Sequence, residues 1–370
     1  MAISNSFFIN LKGAEVDAER FLAHAVTWAE SGTIGLVIDA EFFIQFLGTF
    51  VYLFDLNEFG LTVIGIFVFY TAYFFMLYKF GAGSRGGALF VILITLMCLF
   101  SPSVMLRIGA LLREPYVVFS ITFVVYFGVQ FLRQKKVRFL LYSIAFMLCG
   151  LFFHKAVLAF APVYLVIILF FAMNVSIKSF IYSGLFLSLT FMLISQALPS
   201  FVDLRGGEAL GVLMSGDFSD AERIVGYKSG REFRTTYDYG ADFGSLGGII
   251  ITAIKANLYY YFAPFPWQIR TAIDVFSFLE NTIRFFVIMY VLRYVFSGYK
   301  LISGDRKVLL FIMVCYFLLN TIWSIGTSNY GTGSRHHITT MPLLFMSILY
   351  INRYSFNKIN ILSSSDVKKL

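Results

Sequence analysis

The sequence predicts an all-α, polytopic integral membrane protein with about 9–11 transmembrane helices and one large external loop, counted at ~20 mostly apolar residues per crossing. Three observations carry that prediction. Hydrophobic residues make up 59% of the 370 residues and charged ones only 14%, against roughly 25% charged in a soluble domain, and the mean hydropathy is +0.79. The apolar residues come in unbroken runs rather than in alternation, which argues against a β-barrel. Aromatic residues reach 19%, with 45 Phe and 22 Tyr, which suits lipid-facing helices with Tyr and Trp at their interfacial ends.

Taken in order, the N-terminal 31 residues read as amphipathic, and no basic start followed by an apolar stretch marks a signal peptide. Segment 34–54 is apolar but carries Asp39, Glu41 and Gln45. Clear spans follow at 60–80, 87–104, 115–132, 139–153, 156–173 and 179–198, then at 281–297, 308–324 and 338–352. Segment 247–263 is interrupted by Lys255 and Asn257. Either weak segment can span or re-enter. Residues 1–370 read as a single polytopic membrane domain, with 199–280 as the large external loop carrying interfacial helices. Within it, 199–246 looks soluble, with the Gly-rich turns RGGEALG, YKSGREF and DYGADFGSLGG, and loops of that length are usually functional or disordered.

Charge sets the orientation. Lys79 with Arg85, Arg133 with Lys135, Lys136 and Arg138, Lys178, Lys300 with Arg306 and Lys307, and the tail lysines 358, 368 and 369 fall on one side if the clear spans alternate. The positive-inside rule makes that side cytoplasmic. Topology thus accounts for the net charge of +8 without a nucleic-acid partner. If 34–54 spans, the N-terminus is cytoplasmic; if it re-enters, the N-terminus is outside. Cys98, Cys149 and Cys315 each sit in an apolar run with no metal-ligand spacing, as small membrane-embedded residues do.

Five motifs on the outer side carry the chemistry. SPSVMLRIGALLREPYVVFS sets Arg107, Arg113 and Glu114 just before a Pro that opens a helix. Pro115 fits a first turn and Glu114 a helix N-terminus, while two guanidinium groups there can grip an anionic headgroup. LCGLFFHKAVLAF places His154 and Lys155 in apolar sequence, as a short outer turn or as functional groups at membrane depth. REFRTTYDYG brings Arg231, Arg234, Tyr237 and Asp238 after Arg223 and Lys228, a mixture suited to sugars and phosphates. NLYYYFAPFPWQIRTAIDVFSFLEN runs a Tyr-rich stretch into Pro264, Pro266, Trp267 and Arg270, either an aromatic belt or a surface on which a sugar stacks. SIGTSNYGTGSRHHITTMPLLF sets Gly331 and Gly333 before Arg335, His336 and His337. Adjacent histidines diverge on a helix, so Arg335 reaching a phosphate is favoured over a two-His metal site. Most of these motifs supply arginines, as an enzyme handling a lipid diphosphate requires, because the leaving diphosphate must be neutralised in the transition state.

The order LLREPYVVF, FFHKAVL, a large external loop, PFPW and a late GTGSRHH resembles bacterial polysaccharide polymerases of the Wzy type, within the wider GT-C membrane glycosyltransferases. The resemblance extends from about residue 15 onward. It implies an enzyme of the bacterial inner membrane that joins oligosaccharide repeat units carried on undecaprenyl diphosphate, the growing chain passing to the next unit at the outer face. It implies membrane lipid and a chain-length regulator protein as further partners. By position, Arg113, Arg335 and one or more of Arg223, Arg231 and Arg234 would hold the diphosphate, and Glu114 or His154 would assist the acceptor hydroxyl. Arg107, Lys155, Tyr237, Trp267 and His336 complete the expected substrate-binding set. GT-C enzymes often carry acidic residues in the first external loop, and EVDAERFLAHAVTWAE with Asp17 and Glu19 is similar, except that no span precedes it.

One close variant within the same class and two other classes, a transporter or flippase and a scaffold, compete. A GT-C enzyme using a lipid-linked monosaccharide differs only in its donor. A flippase of lipid-linked sugars calls for ionisable residues spread through the spans and repeated halves, whereas here the charges crowd at one face. A non-catalytic scaffold has no need of so many outer arginines. No P-loop, dinucleotide fingerprint, His-Glu-x-x-His or clear Asp-x-Asp motif points to a nucleotide or metal cofactor, and a lipid-activated donor needs neither.

Overall fold

The computed structural model describes residues 15–31, 40–81, 85–154, 156–173, 237, 246–297, 303–325, 327 and 329–366. Among them run twelve α-helices and no β-strand. Four are long and apolar enough to cross a bilayer, over Glu58–Gly81, Glu114–Gln134, Ala272–Phe296 and Asp305–Ser324, and three shorter apolar helices cover Ala40–Phe54, Val137–Phe153 and Ala159–Met173. The chain is an all-α polytopic membrane protein. The expected span at 179–198 and all of 199–245 except Tyr237 lie outside the described residues.

Helix ends follow local chemistry. Helix α1 (Glu15–Ser31) buries Ala18, Phe21 and Ala25 at helical spacing, and α2 (Ala40–Phe54) buries Phe43 and Leu47. Asn57 opens α3 (Glu58–Met76) by accepting from the Gly60 amide at 3.0 Å, and the helix runs on through a π-helical turn, Leu77–Gly81. The apolar run at 87–104 does not form one helix. Instead α4 (Arg85–Phe100) stops, Ser101 Oγ accepts from Val104 N at 3.3 Å, and Pro102 starts the short α5 (Pro102–Ile108). A Ser cap followed by Pro at the first position is a strong start signal, and it overrides the hydropathy of the run. Helices α6 (Glu114–Gln134) and α7 (Val137–Phe153) are joined at Lys135, whose φ of 55° is the left-handed turn that reverses the chain. Helices α8 (Ala156–Met173) and α9 (Leu246–Phe262) follow.

The last three helices all exceed their apolar windows. Helix α10 (Ala272–Ser297) starts well before 281, α11 is Ser303–Ile325, and α12 (Tyr330–Asp366) starts well before 338. On α10 the buried residues are Asp274, Asn281, Ile288, Val291 and Val295, four of them seven positions apart and Val291 between the last two, so all lie along one side of the helix. Ile273, Phe276, Leu279, Ile283, Phe286 and Met289 stay exposed, a face that lipid covers in a bilayer.

Two units result, one of residues 1–154, 284–316 and 337–370, the other of 155–283 and 317–336. In the first unit α1 lies on α2, α3 on α6, and α6 on α7. Because lipid is as apolar as Leu, close packing and interhelical hydrogen bonds hold such helices together. Phe123 stacks on Phe146 at 4.7 Å, and Ser143 Oγ donates to Val124 O at 2.9 Å between α7 and α6. Phe69 and Ala72 of α3 meet Val104 and Ile108 of α5, Val118 of α6 and Ile338 of α12 in one buried cluster. The second unit centres on Tyr237, Ala263 and Tyr330, with Tyr259 and Phe265 against them.

Candidate functional site

In the first unit the fold brings together two motifs that are far apart in sequence. Gly109 ends α5, Leu111 and Leu112 are buried, and α6 opens with Glu114 and Pro115, so Arg113 stands at a corner between two helices. Its Nη1 donates to the carbonyl of Phe153, the last residue of α7, at 3.4 Å, and its guanidinium lies 5.7 Å from the Phe21 ring centre. Helix C-terminal carbonyls carry partial negative charge and aromatic faces attract cations, so both contacts suit an arginine drawn away from water. The guanidinium is half-buried and makes no cap for α6.

Aromatic rings floor this corner. Tyr116 stacks on Phe153 at 4.9 Å and 14°, and Phe42, Phe43 and Phe46 set their rings at 5.3, 6.4 and 5.4 Å from Phe153. Pro115 meets α3 where Gly65 offers no side chain. Glu114 is buried, with only 3% of its surface exposed, in the first turn of a membrane helix. There the helix N-terminus favours a negative charge. His154 follows Phe153 in extended backbone, half-buried, its N–H donated to Gly150 O at 3.0 Å. Arg107 is half-buried in the last turn of α5. The LLREP and FFH motifs therefore share one corner, through the Arg113–Phe153 contact.

The second unit joins the aromatic turn to the start of α12. Rings run from Tyr237 to Tyr259 (5.8 Å), Phe265 (5.2 Å) and Trp267 (4.9 Å, 6°). Trp267 is 75% exposed at the outer end of this row, whereas Tyr237 is buried. The peptide before Pro264 is cis, and Asn281 Nδ2 donates to the Ala263 carbonyl. Asn329 caps α12 by accepting from Thr332 N at 2.7 Å. Gly333 sits under the Tyr237 hydroxyl, with no room there for a Cβ. Asp274, fully buried, accepts from Arg270 N (3.0 Å) and Thr271 N (2.9 Å) with one oxygen and from the Tyr330 hydroxyl (3.2 Å) with the other. The PFPW and GTGSRHH motifs are thereby tied together.

His336 lies on α12 with its ring over Trp323 (5.8 Å, 29°) and its Nδ1 3.0 Å from Thr327 Oγ1. Arg335 is half-buried beside it in sequence. Lys155, Arg223, Arg231 and Arg234 lie outside the described residues. Among the described residues no cluster of three His, Cys, Asp or Glu is arranged to hold a metal ion. Asp274 and Asn281 lie within the NLYYYFAPFPWQIRTAIDVFSFLEN motif and Thr327 within SIGTSNYGTGSRHH, but none of them is among the expected site residues, and Asn320 and Trp323 lie outside the motifs altogether. Of these only Asp274 carries a local signal, the Thr271-x-x-Asp274 pattern of a capping box; Asn320, which accepts from Tyr260 Oη at 3.3 Å, pairs across helices. No protein-family model matches the chain, and neither a curated protein nor a solved structure shows significant similarity to it.

Proposed function

We propose that this membrane protein is a polysaccharide polymerase of the bacterial inner membrane, joining undecaprenyl-diphosphate-linked oligosaccharide repeat units at the outer face. The observation that carries the reading is the Arg113 corner. A guanidinium half-buried at the junction of α5 and α6, held by the Phe153 carbonyl and the Phe21 ring, is next in sequence to a buried carboxylate at the head of a spanning helix. Charged groups at membrane depth are costly and are by default functional. A guanidinium presents several fixed donors to phosphate oxygens, and a low-dielectric corner strengthens that attraction as a diphosphate leaves. Arg107, half-buried in the last turn of α5, adds a second cation on the same stretch of chain. Glu114 and His154 are the two groups at that corner that could assist the acceptor hydroxyl.

Surface polysaccharide length in a deletion strain tests the reading. Complementation with wild type, Arg113→Ala, Glu114→Ala or Arg335→Ala is compared at matched membrane protein levels. The deletion is expected to leave single repeat units on their acceptor, and the point variants to fail to restore long chains. If no repeat unit reaches the surface in the deletion strain, export or monomer transfer replaces polymerisation. If every variant restores normal chains, the arginine site is wrong.

A further inference from the structure

Packing within the first unit decides how the chain lies in the membrane ahead of α3. Helices α3 and α6 run side by side in one direction, with Gly65 against Pro115, Phe75 on Phe123 at 4.5 Å and Phe80 near Tyr126 at 6.0 Å. Helix α7 returns beside α6, so that Phe127 meets Tyr142 at 5.3 Å, Phe123 meets Phe146 at 4.7 Å and Tyr116 meets Phe153 at 4.9 Å. At about 1.5 Å of rise per residue, α6 carries the chain about 30 Å from Pro115 to Lys135, the thickness of the hydrocarbon core. Arg113 and Phe153 therefore mark one membrane boundary, and the exposed Lys135 and Lys136 mark the other.

Helices α1 and α2 meet this frame at the Arg113 boundary. Phe42, Phe43 and Phe46 of α2 set their rings around Phe153, and Phe46 lies 5.2 Å from Tyr116. Phe21 of α1 meets both Phe43 and Arg113, and Trp28 and Ala25 close on Gly48. Helix α2 has 15 residues, about 22 Å, which falls short of the core. Its last residue leads through Asp55, at φ 51°, and the Asn57 cap straight into α3. Gly65, the residue level with Pro115, comes two turns into α3, so α3 begins and α2 ends about 10 Å beyond Pro115, away from Lys135. Ala40, the first residue of α2, is next but one to Phe42, at the level of Phe153.

We propose that α2 is re-entrant: the chain enters and leaves on the side where Arg113 lies, and α1 rests on that side, opposite the basic ends of α6 and α7. The positive-inside rule makes this the outer side. Of the two topologies that hydropathy allows for 34–54, the packing carries the one without a crossing. The exposed Glu19, Arg20 and His24 of α1 then face the compartment from which Arg113 is reached. Nothing in this topology depends on the polymerase reading.

Sidedness labelling of the full-length chain tests it. Cys149, the exposed native cysteine, is replaced by Ala, and single cysteines are placed at exposed positions before α2 (Ala23→Cys), after it (Glu58→Cys) and at the basic end of α7 (Lys136→Cys). Sealed right-side-out and inverted membrane vesicles are treated with a membrane-impermeant maleimide. Ala23→Cys and Glu58→Cys should label in right-side-out vesicles and lose that labelling in inverted ones, and Lys136→Cys should do the reverse. Glu30→Cys, also exposed on α1, repeats the measurement should Ala23→Cys fail to accumulate. Labelling of α1 from the same side as Lys136→Cys is the result of a crossing α2 and overturns the topology. So does labelling of Glu58→Cys from the Lys136 side, or an α1 that reacts from neither side but reacts in detergent. The expected pairing with the two sides exchanged overturns the outer placement.

Discussion

Gly333→Ala separates steric conflict from helix propensity by the sign of its effect. Gly333 lies inside α12, where Ala is favoured over Gly by roughly 0.5–1 kcal/mol. With open space beside it, the substitution would stabilise the protein. A Cβ built at Gly333, however, lies 2.6 Å from the Tyr237 hydroxyl oxygen, roughly 1 Å inside ordinary van der Waals separation. Its other neighbours, Thr327 Cγ2 at 3.7 Å and Tyr260 Cδ2 at 3.8 Å, are at normal contact. Tyr237 is 6% exposed and packed against Ala263, Tyr330 and Tyr259, so its stiff ring has little room to retreat. Overpacking of that kind costs about 1–3 kcal/mol. The net expectation is a destabilisation of about 1–2 kcal/mol after the propensity gain is set against it. Because one oxygen atom makes the conflict, Tyr237→Phe should reverse it, and Gly333→Ala should become neutral or stabilising in that background. Thermal unfolding of the detergent-purified protein and of the four members of the double-mutant cycle measures this directly. Additive effects, or a stabilised single Gly333→Ala variant, would refute the placement of Tyr237 on α12.

Three further outcomes follow from the same packing. Asp274→Ala strands a tyrosine hydroxyl and two backbone amides at the head of α10; a loss of at least about 2 kcal/mol is expected, with Asp274→Asn intermediate, and an unchanged melting temperature would remove Asp274 as the tie. Gly48→Ala drives a methyl into the Trp28 ring and to 2.8 Å from the Ala25 carbonyl, and since backbone cannot yield as a side chain does, α1 should lift from α2 and residues 15–31 should become sensitive to limited proteolysis; unchanged protection speaks against it. On the proposed polymerase function, Arg113→Lys keeps the charge but loses the planar fork, so it should fail to restore long polysaccharide, as is expected of Arg113→Ala; full restoration by Lys would reduce Arg113 to a point charge.

Hydropathy finds membrane helices but not where they end. The run at 87–104 is apolar throughout, and only the Ser101–Pro102 pair shows that the chain breaks there. Helices α10 and α12 begin outside their apolar windows because Asp274 and Asn329 satisfy the first amides with side chains that hydropathy scores as polar. Those two ends are legible as capping chemistry. The Arg113–Glu114–Pro115 corner is equally legible, since a proline fixes the first turn and charge beside it must be accommodated. What lies on the far side of that arginine is not. Phe153 is forty positions away and Phe21 lies on a helix with no apolar span of its own. The Thr327–His336 bond likewise crosses the break between α11 and α12, a spacing that no helical period contains.

Helix α1 shows how a segment that hydropathy sets aside can become part of a site. Its sequence is amphipathic, and amphipathicity alone is equally consistent with a helix lying on a membrane surface. In the structure Phe21 sets its edge on Phe43 of α2 at 5.1 Å and 90°, and the same ring meets the Arg113 guanidinium at 5.7 Å. A guanidinium half-withdrawn from water needs hydrogen-bond acceptors and polarisable neighbours to offset lost hydration. Here the Phe153 carbonyl supplies one and Phe21 the other. Gly48, which lets α1 approach α2 so closely, thus governs Arg113 through two contacts without touching it. On the proposed polymerase function, Gly48→Ala should therefore share the short chains expected of Arg113→Lys at normal protein level, and because both act on one guanidinium, combining them should add little to either alone.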